Sequence, residues 1–114
     1  MATAALFIGW NRPLPGVDPK KAYGHLMTEG VPYLRKLEGK AFERMETIAL
    51  TAHGGDVNGF FLLFGERAKL DELRRTDGFE AFVMKLDELF DGLAVVPGVN
   101  AEGIKAVMER TQRH

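Results

Sequence analysis

The stretch Asn58 to Glu66, NGFFLLFGE, is apolar at every central position and runs directly into RAKLDELRRTDGFEAFVMKLDELF, whose apolar residues recur at helical spacing. In a strand, successive side chains point to opposite faces, so Phe60, Leu62 and Phe64 fall on one side of a sheet and Phe61 and Leu63 on the other. A strand of that composition calls for cover on both faces. Helices supply one cover in so short a chain, and a second copy of the protein is the expected source of the other.

Working outward, Leu70, Leu73, Phe82, Leu86, Leu89 and Phe90 trace the stripe of the following helical region. Thr76, Asp77 and Gly78 interrupt it, and Asp77 with Glu80 has the spacing of a capping box that restarts a helix. Upstream, the glycine-rich HGGDVNG (His53 to Gly59) favours a turn between antiparallel strands. The strand before it, Ala41 to Ala52, alternates Phe42, Ile48 and Leu50 against Met45, Thr47 and Ala49, with a polar first half. The earliest strand, Ala4 to Asn11, sets Leu6, Ile8 and Trp10 against Ala5, Phe7 and Gly9.

Asp18 and Pro19 form a helix start, because the carboxylate accepts from early amides and proline tolerates the first turn. Tyr23, Leu26, Met27, Leu34 and Leu37 then face the core, and Gly30 with Pro32 predicts a bend or restart. A fourth strand spans Leu93 to Val96. Asn100 caps a final helix, about 101–112, with Ile104, Val107 and Met108 as a short apolar stripe. The order β-α-β-β-α-β predicts an α+β, ferredoxin-like fold: one antiparallel four-stranded sheet with two helices on one face, plus a C-terminal helix. At 114 residues the whole chain, 1–114, is one domain.

Composition narrows the function classes. Lys and Arg number 15 against 16 Asp and Glu, a net charge of -1, which gives no general electrostatic reason to bind nucleic acid or anionic lipid. The absence of cysteine excludes disulfides, thiolate metal sites and a cysteine nucleophile, and serine is absent as well. The apolar run in MATAALFIGW lacks a basic leader and meets Arg12 and Pro13 too soon for a signal peptide or a membrane span. A cytoplasmic protein without membrane or nucleic-acid partners is expected.

Through FFLLFGERAKLDELRRTDGFEAF and the N-terminal strand ending at Trp10, the chain resembles the dimeric α/β barrel superfamily, as a bacterial-type member. The resemblance extends to about Val99 and is one of architecture. It implies two ferredoxin-like protomers packed sheet against sheet, a homodimer. Members include cofactor-independent monooxygenases, haem-binding enzymes, isomerising enzymes and proteins of unknown activity, so the fold alone selects no function.

Four residues are candidates for binding a ligand. Trp10 and Arg12 flank Asn11 at the end of the first strand, where an aromatic and a guanidinium suit a planar or acidic molecule; the plainer roles are a core edge and a solvated cation. His25 and Tyr33 lie on the first helical region, offset by about 80° on a regular helix, and offer an acid-base group and a hydroxyl donor. Their plainer roles are a partly exposed helix residue and a packing residue. In haem-degrading relatives an Asn, a Trp and a helical His act together, but no histidine occurs between Glu66 and Asp91, so haem degradation is disfavoured. His25, His53 and His114 lack metal-site spacing, no dinucleotide or Walker fingerprint occurs, and no cofactor is expected.

The leading expectation is a small homodimer that binds a small apolar or aromatic molecule between helices and sheet. The alternatives are a cofactor-independent monooxygenase or isomerase using a histidine, and a structural or regulatory partner protein that docks through its C-terminal helix.

Overall fold

The buried members of the central strands declare the layering. Leu6, Ile8, Phe61 and Leu63 have 0% exposure, whereas Phe7, Phe60, Leu62 and Phe64, their neighbours in sequence, remain partly open. In this computed structural model, which describes residues 2–51 and 53–112, the strands are β1 (Ala4–Trp10), β2 (Arg12–Pro13), β3 (Arg44–Ala49), β4 (Gly59–Gly65), β5 (Phe90–Asp91) and β6 (Ala94–Val99). The helices are α1 (Pro19–His25), α2 (Val31–Leu37), α3 (Arg67–Arg74), α4 (Asp77–Leu89) and α5 (Ala101–Gln112). A single π turn, Leu26–Gly30, joins α1 to α2.

The main sheet has the order β3-β4-β1-β6, antiparallel throughout, with α1–α2 and α3–α4 on one face. This is the ferredoxin-like α+β fold. The pairings Ile8↔Phe61 and Leu6↔Leu63 put four core side chains under the helices. Trp10 joins them, with its ring 5.3 Å from Phe61 and 5.7 Å from Phe90. A two-stranded clip, Arg12↔Asp91 and Pro13↔Phe90, ties the exit of β1 to the end of α4. Among the described residues no polar or charged side chain is buried in the core, and no helix is long and apolar enough to cross a membrane.

Local chemistry explains where elements begin and end. Asp18 caps α1 by accepting from the Lys20 amide at 3.0 Å. β3 starts later than the alternation predicts, at Arg44, because residues 38–42 close α2 instead: Lys40 and Ala41 amides bond Leu37, and Gly39 turns at φ 85°. β6 runs past Pro97 to Val99; proline fits there because β6 is an edge strand. At the start of α4 the cap is Thr76 rather than Asp77. Its Oγ accepts from the Phe79 amide at 3.2 Å, which leaves Asp77 and Glu80 in the first turn, where negative charge suits the helix dipole.

Candidate binding cleft and open sheet face

The first helical region decides how the expected site residues are presented. Pro32 has no amide to donate to residue 28, and its ring crowds that carbonyl. The chain responds by widening rather than breaking: the Val31 amide reaches Leu26, five residues back. The wide turn also resets the helical phase. Ala22, Leu26, Gly30 and Leu34 are spaced by four, which on a regular α-helix would drift by about 40° per step, yet all four are buried. His25 and Tyr33 each precede one of these residues by one position and so share a flank of the helix.

Tyr33 lines a cleft of about 390 Å³ between the α1–α2 and α3–α4 segments, formed by Leu37, Lys40 and Ala41 on one wall and Lys69, Glu72, Leu73, Thr76 and Gly78 on the other. Its ring stacks on Phe82 at 5.1 Å. Burial pushes the Tyr33 hydroxyl above the ordinary tyrosine pKa of 10.0, an effect that the Thr76 side chain partly offsets. The hydroxyl therefore keeps its proton near neutral pH. Thr76 donates its own proton to the Leu73 carbonyl at 2.7 Å, and the protonated Tyr33 hydroxyl can donate to a ligand. Lys40 and Lys69 form no ion pair among the described residues. The cleft thus offers an apolar floor, a phenolic donor, two ammonium groups and one carboxylate.

The remaining expected residues lie elsewhere. Trp10 is 1% exposed in the aromatic core, with its Nε1 buried and unpaired. Arg12 is exposed on β2, and His25 is partly buried at the end of α1. The His53 ring is tied to its own loop, bonding the Val57 carbonyl at 2.7 Å and accepting from the Gly55 amide at 3.0 Å. His114 lies outside the described residues. No group of His, Asp and Glu among the described residues has the arrangement of a metal site. Lys40 carried no individual signal in the sequence and Gly78 only that of a helix break; the turn that follows α2 and the α3–α4 segment bring them together with Lys69.

The second uncovered feature is the sheet face opposite the helices. The pairings set out three rows across it: Ile48, Phe60, Gly9 and Ala94; Glu46, Leu62, Phe7 and Val96; Arg44, Phe64, Ala5 and Gly98. Phe7 and Phe60 touch at 5.3 Å between ring centres, and the Arg44 guanidinium lies 3.9 Å above the Phe64 ring. Val96 is 51% exposed. A hollow of about 490 Å³ lies over Phe7, Leu62, Phe64 and Val96 and reaches Asn100.

These features define a class: a ferredoxin-like α+β protein with helices on one sheet face and the other apolar face open. Solved structures share the fold. An ethyl tert-butyl ether D (EthD) family protein of Bacillus halodurans C-125 is 18% identical, with a TM-score of 0.67 over 86% of this chain and 97% of that chain. A hypothetical Arabidopsis thaliana protein gives 12% and 0.68 over 89% and 90%. A dimeric protein of unknown function and ferredoxin-like fold from Bacteroides fragilis NCTC 9343 gives 14% and 0.62 over 85% and 96%. No protein-family profile and no curated protein sequence matches the chain.

Proposed function

We propose that the chain acts as a homodimer, its sheets packed face to face, and that each protomer binds a small apolar or aromatic acid in the Tyr33 cleft. The observation that carries the ligand reading is the lining of the cleft: apolar Leu37, Ala41 and Leu73, a Tyr33 hydroxyl able to donate, and two lysines, Lys40 and Lys69, against one carboxylate, Glu72. A carboxylate accepts from Tyr33 and meets both ammonium groups while its apolar body covers Leu37, Ala41 and Leu73. The region between helices and sheet, where the sequence placed the ligand, is filled by Trp10, Phe61, Phe82 and Leu34. Neither His25 nor His53 lines the cleft, so this reading involves no proton-transferring histidine.

The dimer reading rests on the open sheet face and is supported by the B. fragilis relative, which is dimeric. Soluble monomers rarely leave a contiguous apolar surface of this kind uncovered. Calorimetric titration with 1-naphthoate tests the ligand reading. Binding that Gly78→Leu abolishes by filling the cleft, and that Tyr33→Phe weakens about tenfold, the loss of one charge-assisted hydrogen bond, supports it. No binding of 1-naphthoate, or equal binding to all three proteins, contradicts it.

A further inference from the structure

Beyond its first turn, α5 lacks the packing contacts that stabilise a helix of its length. Its first turn is anchored, because the Asn100 side chain donates to the Ala2 carbonyl at 2.8 Å and accepts from the Gly103 amide at 2.9 Å, and Gly103 is buried against Thr3 and Val99. Beyond it, every residue from Ile104 to Gln112 is exposed. Ile104, Val107 and Met108 are 51%, 41% and 56% exposed and share one side of the helix at the i, i+3, i+4 spacing. A helix of this length is marginal in water when nothing packs against its apolar stripe. The body is correspondingly elongated, with extents of 52 × 32 × 19 Å and a radius of gyration of 15.4 Å, against about 13 Å for a compact chain of this size.

We infer that α5 is an exchanged arm, whose apolar stripe packs on the second copy of the chain. The inference rests on the face-to-face dimer proposed above, and two observations select that occupant. The arm leaves from the rim of the interface: Asn100, which caps it, lines the hollow on the open sheet face. The sheet face alone is also small. Four strands about 4.8 Å apart and about six residues long give a plan area of about 400 Å², a small base for a stable interface, to which each partner contributes about 800 Å² of accessible surface. Facing sheets stand about 10 Å apart, and a helix of twelve residues spans about 18 Å. The arm is therefore long enough to pass the partner's sheet edge and add further area.

The test uses the full chain with p-benzoylphenylalanine at position 107, mixing unlabelled and nitrogen-15-labelled protein before irradiation. The expected result is a cross-linked dimer whose peptide pairs join one light and one heavy chain. Cross-links only within a chain, or none, overturn the arm. In parallel, Val107→Asp with Met108→Asp should weaken the dimer at least tenfold in sedimentation equilibrium, and an unchanged constant overturns the inference. Mixed-isotope cross-links that persist while Leu62→Lys leaves dimerisation untouched would retain the arm and reject the sheet-face reading. Conversely, a dimer broken by Leu62→Lys but indifferent to the arm variants would retain the sheet face and reject the arm.

Discussion

At the scale of single residues, two ionisable groups carry predictions. Tyr33 is an acid whose folded pKa is raised by burial. Below the ordinary tyrosine pKa both states keep the proton; above it the unfolded chain releases its proton first, so stability falls as pH rises through that range. Urea midpoints measured at about pH 9 and about pH 11 should fall more in the native protein than in Tyr33→Phe, and parallel falls would count against the buried phenol. Glu38 has the opposite sign. Its carboxylate accepts from Arg35 at 2.9 Å and from the Met45 amide at 2.9 Å, which lowers its pKa. Its contribution is present above the ordinary glutamate pKa and is lost as pH falls through the lowered one. The stability gap between the native protein and Glu38→Gln should narrow with acid; a constant gap would refute the assignment. Gly59 makes a steric prediction, since a Cβ there would lie 2.4 Å from the Trp10 ring. Gly59→Ala should cost about 1–3 kcal/mol in chemical denaturation.

At the scale of elements, the α3–α4 break depends on Thr76. Thr76→Ala should destabilise by about 1 kcal/mol through loss of the cap, measured by chemical denaturation, whereas Asp77→Ala should do less because Asp77 is not the cap. The break itself was legible in Thr76, Asp77 and Gly78, but its phase was not: threonine and aspartate are both good caps, and only backbone geometry chooses between them. Gly30 and Pro32 similarly marked a disturbance without revealing its form. The missing Pro32 amide favours a break and a widened turn alike, and the packing of Gly30 near Phe82 and Phe61 accompanies the second. The strand order was legible because alternation, turn residues and handed crossovers leave few topologies. The cleft was not, because Tyr33, Lys40, Lys69 and Thr76 come from separate segments and meet through packing that no local spacing encodes. Of the expected site residues, Tyr33 lines that cleft, while Trp10 packs inside the core.

At the scale of the whole molecule, β4 carries the account. Both of its faces read as apolar, and sequence could not say which belongs to the helices, since phenylalanine and leucine occur on each. The fold assigns Phe61 and Leu63 to the protomer's own core and leaves Phe60, Leu62 and Phe64 on the open face. The two parities should therefore fail differently. Leu63→Ala should cost about 2–5 kcal/mol of folding stability, as a buried truncation does. Leu62→Lys should leave the protomer folded and disrupt its assembly. Sedimentation equilibrium of the native protein and of Leu62→Lys, with circular dichroism of both, tests this most directly. A native dimer and a folded Leu62→Lys monomer are predicted; a native protein that is monomeric at tens of micromolar, or a Leu62→Lys variant that dimerises as tightly as the native chain, would contradict it.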